Sequence, residues 1–194
     1  MSAESIFRVT LALQVNLQKA LTDAGHPGTV FIGPLDDPDA QGAALILFLY
    51  RMAPNAVLRN SEHRVAASPG QPGPIVYTNA LPLDLYYLIT VGTRPGSSEE
   101  PLLSALGAAI QALNDLPQLA GSGVAPDPVR LTMETLSTEE ISRIWALFPT
   151  VNYRTSIAYL ASPVWIDPAT PPQRERAVTD DSPRVGQHRG TNNG

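Results

Sequence analysis

His63 stands in the string Asn60-Ser61-Glu62-His63-Arg64, with Ser61 just before it and Ser68 just after. Serine, histidine and an aspartate are the parts of an acyl-transfer site. The hydroxyl attacks, the imidazole takes its proton and the carboxylate holds the ring. Nothing else in the chain completes that pattern, and no Gly-x-Ser-x-Gly elbow is present. A small serine hydrolase using Ser61 or Ser68 with His63 is therefore the reading of another class, and the plainer expectation is that His63 is an exposed loop histidine. The remaining histidines, His26 and His188, fall in a helix-terminal turn and in the C-terminal segment.

The acidic residues support no chemistry of their own. Asp36, Asp37 and Asp39 crowd the turn-rich stretch Gly33 to Gly42. A calcium loop needs oxygen ligands at alternating positions, usually closed by a bidentate glutamate. No glutamate follows within a dozen residues, which makes this a solvated acidic turn. Glu99-Glu100 and Glu139-Glu140 begin expected helices, where carboxylates favour the positive end of the dipole. Cysteine is absent, which excludes a disulfide scaffold and a thiolate metal site. No glycine-rich phosphate or dinucleotide loop and no His-Glu-x-x-His occurs, so no cofactor and no metal are expected.

Charge and hydropathy narrow the partners. The formal net charge is −5 with a single lysine, Lys19, a poor balance for neutralising phosphates; nucleic acid is not an expected partner. The longest apolar run, around Ala43 to Tyr50, is far short of the roughly 20 residues that span a bilayer. Met1 to Glu4 lacks the basic start and apolar core of a secretory signal. No membrane role and a cytoplasmic location are expected.

The polar residues that stand out follow the apolar run: Arg51, Asn55, Arg59 and Asn60. Their placement depends on the elements around them. A helix is predicted over residues 3–24, with Ile6, Val9, Leu13, Leu17 and Ala20 at helical spacing and Gly25 as its stop. Phe7, Leu11, Val15 and Leu21 widen its apolar surface, so it is expected to pack on more than one side. Strands follow at 29–32 and 43–52, the second apolar on both faces and so interior to the sheet. Residues 53–82 show little periodicity and five prolines, the pattern of a long functional loop. Next come a strand over 83–91, and a helix to Asn114 opened by a Ser97/Glu100 capping box, with Leu103, Leu106, Ile110 and Leu113 as its stripe.

Val129 to Glu134 alternates as a half-buried strand. Ser137 and Glu140 then form a capping box ahead of a helix with Ile141, Ile144, Trp145 and Phe148 as its stripe, and Leu136 is placed to staple onto Ile141. Tyr153 to Ile166 reads as a long strand interrupted at Pro163, which implies an edge strand, a bulge or two shorter strands. The fold class is α+β: a single domain over 1–167 with a mixed sheet of about five strands and three helices packed on it. Residues 168–194 form a proline-rich tail, flexible by composition or an extended arm.

Four segments in order resemble a known family: LYRMAPNAVLRN (49–60), LPLDLYYLIT (81–90), VRLTMETLSTEEISRIWALF (129–148) and YRTSIAYLASPVWID (153–167). They are similar to the N-terminal domain of the cap, or tail-terminator, proteins of extracellular contractile injection systems, the group that includes the Photorhabdus virulence cassettes and the antifeeding prophage. The resemblance spans about residues 5–167. It implies a structural, non-enzymatic protein that forms a homo-hexameric ring on the distal end of the inner tube and contractile sheath. Its partners would be the inner tube protein and the sheath protein. The ring would stop polymerisation and hold the sheath extended, as part of a particle assembled in the cytoplasm and released by lysis. A tail-completion protein of a headed phage is the near alternative. FPTVNYR (148–154) departs from the pattern by an extra proline.

On this reading Arg51, Asn55, Arg59 and Asn60 offer donors to a neighbouring subunit, the tube or the sheath. The competing reading has Arg51 and Asn55 merely satisfying the turn, with Asn55 as a local cap. Arg154 and Tyr159, near the last strand, are open to the same two readings. The tail is expected to add a strand to an exposed sheath edge.

Overall fold

The computed structural model describes residues 2–66, 73–92, 98–121, 124–169 and 173–174. After a 3-10 turn over Ser2–Glu4, helix α1 (Ser5–Asp23) carries Val9, Leu13, Leu17 and Leu21 on one fully buried stripe. It stops as a glycine-terminated helix should. Gly25, at φ 71°, lets its own N–H reach the Thr22 carbonyl (3.0 Å) while the His26 N–H reaches that of Leu21 (2.8 Å). The expectation that α1 packs on a second side is not met among the described residues: Phe7, Leu11 and Val15 line an exposed face.

The main sheet contains β1 (Val30–Ile32), β2 (Leu45–Pro54), β5 (Leu81–Val91), β6 (Gln118–Gly121), β7 (Ala125–Glu134) and β8 (Ser156–Ile166), in the order β1-β2-β5-β8-β7-β6. Only the β1–β2 pair is parallel. β2 is interior, as its two apolar faces require. The sheet has six strands, one more than expected; β6 is four residues long with Leu119 as its one buried side chain, too short for alternation to register. The end of β5 packs hard on the start of β2. A Cβ on Gly92 would lie 1.9 Å from the Ala43 carbonyl oxygen, so only glycine fits there.

Pro163 resolves as a bulge. β8 is central, between β5 and β7, and is one strand. Leu83 pairs with Val164 and Leu85 with Ala161, so Ser162 and Pro163 together oppose Asp84. The missing proline N–H thus falls where the ladder is already broken. The Ser162–Pro163 peptide is cis.

Helices α1 and α2 (Glu100–Asp115) cover one sheet face, whose core includes Leu47, Leu85, Tyr87, Ile89, Leu131 and Tyr159. The N-cap position of α2 is Glu99, which makes no side-chain cap bond, and the Ser97 of the expected capping box lies outside the described residues; Leu102, Ala105, Leu106, Ala109 and Leu113 form the buried face of α2 and Leu103 is exposed. The other face holds Ile46 and Leu88 under α3 (Thr138–Trp145) and the loop after β1. The capping box that opens α3 forms as expected. The Glu140 N–H donates to Ser137 Oγ (3.2 Å) and the Ser137 N–H to Glu140 Oε2 (2.8 Å).

The 53–82 connection is not one loop. It contains β3 (His63–Val65) and β4 (Ile75–Tyr77), which pair with each other, and β4 also pairs with β9 (Gln173–Arg174) from the C-terminal segment. Strands of two or three residues carry no readable period. The segment after Asp167 therefore returns to the body as a third strand at 173–174, while residues 175–194 lie outside the described residues.

Candidate functional site

The long strands place the candidate residues at two ends of one sheet. At the end where β2 starts, Leu45 pairs with Val91 and, on the next strand, Thr90 with Ser156. At the end where β2 stops, Pro54 pairs with Leu83, and Leu81 with Ile166.

The stop end is densely satisfied. Asn55, just past β2, donates from Nδ2 to Asp84 Oδ1 (2.9 Å) and Ser162 Oγ (3.2 Å). Its Oδ1 accepts from the Val57 and Leu58 N–H groups (3.1 and 2.9 Å), which is the local cap of the turn. Ser162 Oγ also donates to Asp84 Oδ1 (2.5 Å). The bulge at Ser162-Pro163 is thereby pinned to the turn after β2.

His63 corrects the expectation of an exposed loop histidine: it is 2% exposed. Its ring stacks on Trp165 (centroids 4.6 Å apart, planes 6°) and Tyr77 (5.9 Å, 24°). Nδ1 lies 2.5 Å from Asp167 Oδ1 and Nε2 2.7 Å from Asp127 Oδ2. One imidazole thus clamps β3, β4, β7 and the end of β8. This geometry leaves no ring nitrogen to take a proton from a serine. Ser61 is exposed, and its one bond in the turn is the N–H to the Leu58 carbonyl (2.9 Å); Ser68 lies outside the described residues. The partners come from positions 127 and 167, so no local spacing announces the clamp.

What projects from the stop end is the turn itself. Val57 is 86% exposed, and the Arg59 and Asn60 side chains are exposed with no partner among the described residues. Arg51, on β2, is exposed and already engaged: its guanidinium carbon lies 3.8 Å from the Tyr86 ring centroid.

The start end differs. The loop after β1 contains a 3-10 turn at Pro38–Ala40, whose Asp39 N–H donates to the Asp37 carboxylate (2.9 Å). Beside it is an open pocket of about 330 Å³ lined by Leu35, Asp36, Pro38, Gln41, Thr150 and Arg154, among others. Arg154 is half-buried, and its Nη1 is buried without an acceptor. Burial pushes this guanidinium below its ordinary value, the mark of a charge held without compensation. The exposed Asp36 carboxylate has no partner among the described residues. Nearby on α3, Trp145 Nε1 is also buried without an acceptor, with the ring edge-on to the exposed Tyr153 (5.4 Å).

Tyr159 lies in the core at 3% exposure, where burial raises its hydroxyl above the ordinary range. Its neighbour Tyr87 is pushed up to about 12 by burial, with its hydroxyl 2.7 Å from Thr10 Oγ1. Of the six residues singled out, then, Asn55, Arg51 and Tyr159 are engaged internally, and Arg59, Asn60 and Arg154 have side chains without partners among the described residues. Asp36, read from the sequence as part of a solvated acidic turn, is exposed and lines the same pocket as Arg154.

Among the described residues no group of histidine and carboxylate side chains is arranged to hold a metal ion. No helix among them is long and apolar enough to cross a membrane.

The family described as "Pvc16 N-terminal domain" matches residues 8–180. Among solved structures, the chain is similar to the sheath/tube terminator in the extended state of an extracellular contractile injection system, PVC. Identity is 18% and TM-score 0.59, with 96% of this chain and 65% of that one covered. It is also similar to the tube-terminating cap of the anti-feeding prophage, at 18% identity and TM-score 0.56, covering 88% of this chain and 59% of the other. The chain thus spans about three-fifths of the length of those proteins. No curated protein matches it.

Proposed function

From the premise that the chain belongs to the Pvc16 N-terminal domain family, we propose that it is a structural cap of a contractile injection particle. It seats on the distal end of the inner tube and sheath as a ring of six identical subunits, stops their polymerisation and holds the sheath extended. Its work is shape rather than turnover, and it assembles in the cytoplasm with the particle. The observation that carries the reading is the family match over residues 8–180, which takes in both ends of the sheet.

The surface supports a subunit that binds by contact. A closed ring requires a heterologous interface, in which one patch of a subunit meets a different patch of the next. The chain presents unlike patches at its two ends, and an unpartnered apolar face on α1. A junction stable on its own should bury roughly 1,000 Å² or more. The engagement of both His63 nitrogens by carboxylates weighs against the serine-hydrolase reading.

The test is the length of tubes and sheaths in particles made without this protein. Overlong or variable tubes and loose sheaths are expected. Tubes of normal, uniform length would overturn the proposal. The mass of the purified chain in solution reads the stoichiometry directly.

A further inference from the structure

We propose that the pocket around Arg154 and Asp36 is the socket for the 56–60 turn of the next copy of this chain. The inference rests on the cap reading only for its biological setting; the contact itself is argued from the two ends.

A guanidinium nitrogen without an acceptor inside a folded chain is costly, and natural structures rarely leave one so. Arg154 Nη1 is in that state, at the wall of a pocket open enough to admit a loop. No described residue supplies that acceptor, which on this proposal comes from a second copy of the chain. The same pocket is lined by Asp36, a carboxylate with no cation partner among the described residues, and by the apolar side chains of Leu35 and Pro38. An occupant must bring a carbonyl or amide acceptor, a cation and a small apolar tip, close together on a projecting turn.

The 56–60 turn has that set. Val57 is the exposed tip, Arg59 an unpaired cation, and Asn60 an unpaired amide. The turn is held rigid by Asn55, so little ordering is lost on docking. Pairing Arg59 with Asp36, and the Asn60 amide or a turn carbonyl with Arg154, satisfies the groups left open on both surfaces. The complement is chemical: a turn-on-turn contact would set Arg59 against Arg59.

Geometry makes the contact heterologous. Socket and turn lie at opposite ends of β2, a ten-residue strand that spans about 30 Å at its usual rise. No chain reaches its own socket, and repetition of the same contact runs head to tail until it closes.

The absence of cysteine makes the test clean. Val57→Cys and Thr150→Cys are placed singly and together, and the purified chain and assembled particles are treated with a short thiol–thiol cross-linker. The double variant is expected to give a ladder of covalent multimers in at least one of the two, and each single variant none beyond background. No ladder in either, or cross-linking of this chain to a tube or sheath subunit instead, overturns the proposal. A ladder from purified protein supports the contact even if particles lacking the chain keep normal length. Uniform length without the chain, in turn, overturns the cap reading alone. In parallel, Arg154→Met is expected to weaken self-association roughly thirtyfold. It should also leave the monomer as stable as before or more so, because the uncompensated charge is gone. Unchanged association would overturn the role given to Arg154, and a less stable monomer would mark the residue as structural.

Discussion

At the end where β2 stops, every strong polar group of the core network has a partner; at the end where it starts, a guanidinium and a carboxylate face the same pocket with none. Asn55, Asp84 and Ser162 close on one another, and His63 closes on Asp127 and Asp167. Arg154 and Asp36 close on nothing among the described residues. The first pattern belongs to a region whose shape is finished in the monomer. The second belongs to a surface finished by a partner, because an unmade bond to a buried charge costs more than a made one contributes. The saturated end is what makes the 56–60 turn a rigid projection, so the two ends are complementary in mechanics as well as in chemistry.

The largest expected effect tests the saturation of the clamp. His63→Ala removes the group both carboxylates share and should cost about 3 kcal/mol or more of unfolding free energy, read from urea titration. A loss under about 1 kcal/mol would mean the clamp is ornamental and the contrast between ends false. Next, Asn55→Ala leaves the turn uncapped and Asp84 short of a donor. About 2 kcal/mol is expected, together with weaker assembly, since the turn is no longer preorganised.

Arg154→Met should move in the opposite direction, with a gain of about 1 kcal/mol in monomer stability alongside impaired assembly. Any comparable loss of stability would show that Arg154 is compensated after all. Ser137→Ala touches neither the pocket lining nor the 56–60 turn and should cost about 1 kcal/mol with no effect on assembly. The Ser137 N–H and hydroxyl hold the Glu140 carboxyl below its ordinary range. A lowered folded value means the cap's contribution is present at neutral pH and fades as pH falls through that value. Circular dichroism in acid should show α3 fraying in the unmodified chain, with a smaller pH dependence in the variant, which keeps the backbone N–H at 137 but loses the hydroxyl. Last, Arg59→Glu should leave stability within about 0.5 kcal/mol, as a solvated surface change does, while impairing self-association.

Much of the scaffold was readable before folding was considered. The stripe of α1, its glycine stop, the interior placement of β2 and the capping box of α3 depend on residues within a few positions of one another, where period and capping chemistry are local. The misses have a common cause. β3, β4, β6 and β9 are four residues or fewer and are stabilised by neighbours remote in sequence, so no period identifies them. Leu103 read as buried because Ala105 and Ala109 carry little hydrophobic signal of their own, yet it is they that pack closest.

The candidate residues divide along the same line. That Asn55 could cap a turn was legible, since an asparagine reaches the N–H groups two and three residues on. That His63 is buried was not, because its carboxylates and stacking rings arrive from three other elements, β4, β7 and the end of β8. Local sequence by itself determined the helices, the long strands, the lack of thiol chemistry and the acidic balance, all of which follow from neighbouring side chains or plain composition. Only the tertiary structure decided which polar groups are spent and which remain: a hydrogen bond across sixty or a hundred residues exists only when the fold brings its ends within about three ångströms. Of the residues that looked alike on paper, Arg51 found an aromatic face, Asn55 a network and Tyr159 the core. Arg154 was left, after the chain had closed, with a bond still to make.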